Sequence, residues 1–262
     1  MEAMKQTIEQ QISARLESRM EKLFSSIALC LSYEHDSYYV AGNSCNAATP
    51  NDFDLYPACG AFNFEDIEKR VPSVDGYVVC KTRNAMTCNI GGKVVQFCNY
   101  EKKDLKSLVL SFDFAHIQVG AKVCIEWRPG DFEDDIGGYD KSYVDEVFYT
   151  DDWLNAHALE TTWYTGSEYP LSSMMRLQKY AQRGCYGSKH EYKVDVLRIL
   201  AGIIRRGYQD YQDYKDQLSA IDMMLLTEEE RDAAKELYIA CHNRSLVKDT
   251  SSPWDNEEED YR

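Results

Sequence analysis

The order of segments in this 262-residue sequence predicts an α+β fold, in which a mixed sheet is followed by a helical domain. Apolar residues recur every three or four positions over residues 2–30, which is typical of a packing helix. Short strand-like runs then occupy residues 36–130, and segments with helical periodicity follow position 172. We therefore expect an N-terminal helix that packs on a sheet, with further helices after the sheet.

Seven runs in the sheet region have the composition and alternation of strands. They are residues 37–42, 52–56, 77–82, 85–90, 93–100, 111–119 and 122–127. Gly91 and Gly92 predict a hairpin between two of these strands, and Gly120 is expected in another connection. Short helices are predicted over residues 64–70, with Asn63 as the N-cap, and over residues 102–110.

The second half of the sequence changes in character. Residues 131–160 contain ten Asp or Glu against one Lys, which predicts a solvated loop that leads into a helix at 151–160. Further helices are predicted over 172–184, 195–207 and 227–243, the last with a Thr227–Glu230 capping box.

These segments define four predicted regions. They are an N-terminal helix that packs on the head (1–35), the head itself (36–160), a helical neck and C-terminal domain (161–248), and a disordered acidic tail (249–262).

The composition excludes several classes of protein. Lys and Arg number 29 against 44 Asp and Glu, so the formal charge of −15 argues against a protein that grips nucleic acid with its whole surface. The apolar fraction of 44% excludes a disordered chain. No apolar run approaches about 18 residues, so we expect no membrane span. The polar start, MEAMKQTIEQQ, predicts no signal peptide.

The nine cysteines predict a reducing compartment. Their number is odd, their spacing is wide, and neither CxxC pairs nor zinc-ligand spacing with the five histidines occurs. We expect reduced thiols in a cytoplasmic protein, mostly buried as small apolar side chains, with no disulfide partner.

The segment YYVAGNSCNAATPNDFDLYP carries the chemistry that the sequence offers. Alternate residues of a strand share a face, so Asp52 and Asp54 are expected on one face while Phe53 and Leu55 face the core. Two carboxylates about 7 Å apart repel each other unless a cation lies between them. Mg²⁺ or Mn²⁺ is the expected cation, because hard divalent ions prefer carboxylate oxygens and keep positions for phosphate and water. An alternative interpretation is a plain surface turn, since Asn and Asp are turn formers.

A glycine turn precedes this pair. Gly42 allows the backbone to approach a phosphate closely, and the nearby N–H groups and the Ser44 hydroxyl are potential donors. On this basis Gly42, Asn43 and Ser44 are candidate ligands for a phosphate group.

These motifs resemble the catalytic head of the nucleotidyltransferase superfamily, which includes DNA polymerase beta, poly(A) polymerases and CCA-adding enzymes. GNS followed by DFDL resembles the family's Gly-Ser turn and paired aspartates. TRNAMTC is similar to a segment of bacterial CCA-adding enzymes, and MMRLQKYAQRGCY to their neck helix. The set also resembles uncharacterised nucleotidyltransferase-fold proteins of large bacteriophages and giant viruses. The resemblance spans residues 36–187 and implies a mixed-sheet nucleotidyltransferase head. It also implies that Gly42, Asn43 and Ser44 hold the β- and γ-phosphates of the nucleotide.

The resemblance implies a third acid for a two-metal site, and the sequence leaves its identity open. Asp113 is the candidate, because it lies on a later predicted strand; capping of a strand end is its alternative role. Gln96 is the competing position, since its strand could be the one that bears the third acid in relatives. If Gln96 occupies that position and Asp113 is remote from the pair, the neutral amide predicts a weakened or inactive site. His116 is assigned no role.

Cations cluster after the head. Arg176, Lys179 and Arg183 share one face of a predicted helix and are candidate nucleotide ligands, although a solvated helix face is the alternative. Between residues 176 and 206 there are eight Lys or Arg and two acids. The patch could continue through Arg198, Arg205 and Arg206 to a phosphate-bearing acceptor, whereas Ser172 is expected only to cap its helix.

Together these features predict a metal-dependent enzyme that moves a nucleoside monophosphate from an NTP to an acceptor hydroxyl. Asp52, Asp54 and Asp113 are the predicted metal ligands and catalytic residues. An RNA 3′ end, tRNA in particular, is the acceptor that the resemblance favours, bound through the 176–206 patch. The alternatives are an inactive head that serves as a phage binding or scaffold protein, and a toxin- or antitoxin-type enzyme that modifies a protein or a tRNA.

Overall fold

A seven-stranded mixed sheet organises the chain, which has an α+β architecture. The computed structural model describes residues 2–31, 36–46, 50, 52–100, 102, 104–127 and 139–206. The predicted helix at 227–243 and the acidic tail at 249–262 lie outside these residues. The described helices are α1 Glu2–Ile27, α2 Asn43–Asn46, α3 Phe64–Arg70, α4 Leu105–Leu110, α5 Asp151–Leu159, α6 Pro170–Gln182 and α7 Lys189–Arg206. No helix among them is long and apolar enough to span a bilayer.

The strands are arranged in the order β3-β4-β5-β2-β1-β6-β7. Their bounds are β1 Ser37–Ala41, β2 Asp52–Pro57, β3 Gly76–Lys81, β4 Ala85–Ile90, β5 Lys93–Cys98, β6 Val119–Trp127 and β7 Tyr139–Tyr149. Only the central β2–β5 pair is parallel, and the other neighbours are antiparallel. The predicted hairpin between β4 and β5 is confirmed: Gly91 and Gly92 both have positive φ, as a two-residue turn of this type requires.

Helix α1 covers one face of the sheet. The predicted apolar positions from Ile12 to Ile27 are buried in the main core, together with Phe53 and Leu55 of β2. On the opposite face, α4 packs its buried side chains against the sheet. Gly120 lies within β6 rather than in the predicted connection. A glycine fits this position because Leu105 and Val109 of α4 pack over it, and a Cβ would be only 2.9 Å from their side chains.

Two predicted elements are wrong. Residues 111–119 do not form a strand: Phe114 makes an isolated bridge to Tyr164, and Ala115–Ile117 is a 3-10 turn. Residues 139–149 are not a loop but the edge strand β7. The many acidic residues of β7 make its alternation of apolar and polar side chains hard to detect in the sequence. In the structure Val144 and Val147 pack on the core, and Asp145 pairs with Lys122 at the surface.

Helices α6 and α7 pack against each other and against the 112–117 segment. Their shared cluster includes Phe114, Ile117, Leu177 and Ile199. Asp195, which is 1% exposed, accepts hydrogen bonds from the Tyr164 N–H and the Tyr186 hydroxyl, and so joins α7 to the preceding loops. The segment that carries Asp113 is therefore fixed by these helices rather than by the sheet.

Candidate functional site

A cleft of about 230 Å³ lies between the face of β2 and β5 that α1 leaves uncovered and helix α6. The sheet contributes Asp52, Asp54 and Gln96, and α6 contributes Arg176 and Lys179. Carboxylates of β2 face cations of α6 across this cleft, and Asp113 and Glu168 add two further carboxylates near α6. Such a mixture of charges can accommodate a divalent ion together with a phosphate group.

Strand alternation places the two carboxylates as predicted. Asp52 and Asp54 are half-buried and line the cleft, whereas Phe53 and Leu55 are buried on the opposite face. The apolar side chains anchor β2 on the core, so that the aspartates must face the cleft. The expectation that Asp52 and Asp54 share a face is thus confirmed.

Gln96 lies directly beside Asp54. The parallel β2–β5 register pairs Asp54 with Gln96, and the β4–β5 register pairs Gln96 with Thr87. The Gln96 amide donates to Thr87 Oγ1 at 3.1 Å, and its oxygen is 3.6 Å from Cys98 Sγ. A neutral amide therefore occupies the strand position next to the aspartate pair.

Asp113 is placed differently from its prediction as the third metal ligand. Its Oδ2 accepts from Ser173 Oγ at 2.6 Å and from Arg176 Nε at 2.9 Å, and lies 2.7 Å from a terminal nitrogen of the same guanidinium. Although Asp113 also lines the cleft, the described residues contain no group of three His, Cys, Asp or Glu that could hold a metal ion. Asp113 lies on a bend that packs against α6, not on a strand. The expected three-carboxylate cluster is therefore not formed among the described residues.

Arg176 is held in the wall of the cleft by this ion pair. Burial alone lowers the pKa of Arg176, but the charge and hydrogen bonds of Asp113 outweigh it, so the net shift of this pKa is upward. The Arg176 side chain is 24% exposed and lines the cleft together with Lys179. Two of the three predicted α6 cations therefore face the candidate site.

The Gly42–Ser44 turn, which the sequence predicts as a phosphate ligand, contacts the neighbouring strands. Gly42 adopts φ +70° and its N–H donates to the Val119 carbonyl. The Ser44 hydroxyl, 1% exposed, donates to the Asp52 carbonyl at 3.2 Å and accepts from the Asp54 N–H at 3.3 Å. Asn43 begins the short helix α2. This turn does not border the cleft and instead braces the strand that carries the aspartates.

The remaining predicted cations are spread along α6 and α7. Arg183 is exposed and does not border the cleft. Arg198 pairs with Asp195 at 3.4 Å, and Arg205 donates to the Ala201 carbonyl. Arg206 ends α7.

His116 is a partly buried residue of a hydrogen-bond and aromatic network. Its Nδ1 lies 2.6 Å from Thr162 Oγ1, and its ring meets Tyr180 edge-on with 4.3 Å between centroids. Burial lowers the pKa of His116 to about 4, with smaller contributions from Arg183 and Lys179, while Asp113 opposes the shift. The imidazole is therefore neutral near pH 7.

Sequence reasoning missed several residues of the cleft. Tyr56, Tyr100, Tyr169 and Tyr180 form much of its apolar lining. Burial raises the pKa of Tyr100 to about 12, so its hydroxyl stays protonated. Tyr56 could have been found from the period of two that places it on the same face as Asp52 and Asp54; the others depend on tertiary packing.

Comparisons with known proteins add little to this geometry. No protein-family model matches the chain, and no curated protein matches it. Among the solved structures that it resembles is one described as "tRNA-processing enzyme (apo form I)", with 13% identity and a TM-score of 0.43, over 89% of this chain. The match spans 58% of the length of that solved chain.

Proposed function

We propose that this protein is a metal-dependent nucleotidyltransferase that uses an NTP and transfers its nucleoside monophosphate to an acceptor hydroxyl. The observation that carries the proposal is the pair Asp52 and Asp54 on one face of β2, inside a cleft whose opposite wall bears Arg176 and Lys179.

The aspartate pair fits one divalent ion. Mg²⁺ is commonly held by one or two carboxylates together with substrate phosphates and water, and Mn²⁺ accepts similar ligands. Such an ion would stabilise the charge that develops on the phosphates during transfer. Among the described residues, no third carboxylate is grouped with the pair to hold a second ion: Gln96 lies beside Asp54, and Asp113 is bonded to Arg176.

The side chains of the cleft then act by positioning and electrostatics. Arg176 and Lys179 would contact phosphate oxygens, and the aspartates would orient the α-phosphate through the divalent ion that they would hold. The acceptor oxygen attacks the α-phosphorus, the bond from that phosphorus to the bridging oxygen breaks, and pyrophosphate leaves. The acceptor proton passes to solvent.

For the acceptor we propose an RNA 3′ end, tRNA in particular. The support is the local excess of cations on α6 and α7 in a chain whose formal charge is −15. Phosphate contacts from Lys and Arg supply much of the affinity of proteins for nucleic acid. A protein acceptor, as in toxin-type enzymes, is the competing possibility.

A second function is favoured by one observation, the in-register pairing of Gln96 with Asp54. If nucleotidyl transfer requires an acid at position 96, the protein would bind an NTP without transferring its nucleoside monophosphate. It would then act as a binding or scaffold protein.

Incubation with each α-labelled NTP, Mg²⁺ or Mn²⁺, and either tRNA or cell lysate tests these possibilities. Label in RNA supports the proposal, and label in protein changes the acceptor. Binding of NTP without transfer supports the second function, and absence of both binding and transfer contradicts both.

A further inference from the structure

Ser172 is a buried hydroxyl without a hydrogen-bond partner at the edge of the cleft. The residue is 1% exposed, its Oγ has no partner among the described residues, and it borders the cleft. The sequence predicted Ser172 as a helix cap, but α6 begins at Pro170 with Tyr169 as its N-cap residue, so Ser172 lies within the first turn. An unpaired buried hydroxyl costs free energy, which favours a partner from outside the protein.

The backbone around Ser172 is suited to an anion. In the first turn of a helix the N–H groups have no intrahelical acceptors, and Pro170 contributes no N–H at all. The N-cap side chain of this 13-residue helix makes no capping hydrogen bond. The N–H groups of Leu171 and Ser172 therefore lack the usual N-cap acceptor, and the helix dipole favours a negative ligand at this end.

The charges near this turn agree with an anion. Arg176 lies one turn further along α6 and also lines the cleft, as does Lys179. Two carboxylates oppose them: Glu168 is exposed and borders the cleft, and Asp113 is bonded to Arg176 and Ser173. Because Asp113 already neutralises part of Arg176, the hydroxyl and the N–H groups must supply a substantial share of the binding.

We propose that the first turn of α6, with Ser172 Oγ as a donor and Arg176 as its cation, binds the outer phosphates of a nucleoside triphosphate. This inference rests on the proposed function and assigns the phosphates to a different place from the Gly42–Ser44 turn. The Ser44 hydroxyl is committed to β2, whereas the Ser172 hydroxyl is not. Serine has one side-chain torsion with three staggered positions, so its hydroxyl can turn toward a ligand while the helix stays fixed.

The test uses inorganic tripolyphosphate as the probe, in EDTA and without acceptor, so that its outcome does not depend on nucleotidyl transfer. Calorimetry on the full chain should detect binding that ATP displaces and adenosine does not. Ser172→Ala should weaken the affinity by about tenfold or more, since a hydrogen bond to a charged group is lost. Its thermal midpoint should stay the same or rise, because an unpaired buried hydroxyl is removed.

Ser111→Ala is the matched control. Ser111 borders the same cleft, but its hydroxyl already donates to the Leu108 carbonyl at 2.6 Å, so this variant should bind tripolyphosphate like the wild type. If Ser172→Ala does not fold, the near-isosteric variant Ser172→Cys tests the same hydroxyl. Ser172→Cys should weaken the binding of tripolyphosphate several-fold.

Three results would overturn the proposal. The first is that the wild-type protein does not bind tripolyphosphate. The second is that the Ser172 variants bind it with unchanged affinity. The third is that an oligoribonucleotide without terminal phosphates displaces tripolyphosphate as effectively as ATP does. The last result would assign the site to an RNA backbone.

Discussion

The two aspartate sites of the cleft differ in what holds them in place. Asp52 and Asp54 are half-buried on a strand, and their direction follows from the alternation with Phe53 and Leu55. Asp113 is buried on a turn, and its direction follows from contacts with Ser173 and Arg176, 60 and 63 residues later in the chain. The comparison teaches that the direction of the aspartate pair is set by a local sequence pattern, whereas the direction of Asp113 is set by an ion pair with a distant arginine.

Removal of the Asp113 carboxylate should have the largest effect on stability, and it distinguishes Asp113 from the Asp52–Asp54 pair. Asp113→Ala leaves a largely buried guanidinium without its partner, so the free energy of unfolding should fall by about 3–5 kcal/mol. Asp113→Asn, which keeps an acceptor oxygen, should lose less. Urea denaturation without metal measures both, and an unchanged midpoint in Asp113→Ala would mean that Arg176 does not depend on this carboxylate.

The partly buried His116, close to Asp113, predicts a pH dependence of stability. The pKa of His116 is about 4 in the folded protein and about 6.5 when unfolded, so the unfolded state binds more protons between these values. Stability should therefore be full above pH 6.5 and fall by up to about 3 kcal/mol as the pH drops to 4. His116→Gln should flatten this part of the profile; an equally steep slope in the variant would assign it to other groups.

An acid at position 96 would add a third carboxylate beside Asp52 and Asp54. Because Gln96 pairs in register with Asp54, Gln96→Asp should bring a third carboxylate beside the pair and raise label transfer at saturating Mg²⁺ by about tenfold. Gln96→Ala, which only removes the amide, should change transfer much less. Lower transfer in Gln96→Asp than in Gln96→Ala would indicate that the neutral amide is itself required.

The smallest expected effect concerns the Gly42–Ser44 turn. Ser44→Ala removes two hydrogen bonds to the β2 backbone and should cost about 1–2 kcal/mol of stability. The KM for NTP should change little, since this turn does not border the cleft. A large rise in KM with unchanged stability would restore the phosphate role that the sequence suggested.

The features set by local pattern could be predicted from the sequence. The periodicity of α1, the Asn63 cap of α3, the Gly91–Gly92 hairpin and the shared face of Asp52 and Asp54 are each fixed within a few residues. The fold class agrees as an α+β chain with a mixed sheet.

The features that depend on distant contacts could not be predicted in this way. The turn at Asp113 forms because Phe114 and Ile117 pack on α6 and α7, and β7 is a strand because its alternate apolar residues meet the core. The exposed acids of β7 resemble those of a loop when only composition is considered. Likewise, the free hydroxyl of Ser172 becomes evident only when its neighbours in space are known.

Label transfer by charge-neutral variants of the aspartate pair tests the central claim most directly. Asp52→Asn and Asp54→Asn should each reduce incorporation from an α-labelled NTP by at least about a thousandfold, while the thermal midpoint without metal stays the same or rises because like charges are removed. The control is Asp75→Asn, an exposed acid in a left-handed conformation that Asn tolerates. Its transfer should equal that of the wild type. Full incorporation by the double variant Asp52→Asn/Asp54→Asn would contradict the assignment of this cleft as the site of nucleotidyl transfer.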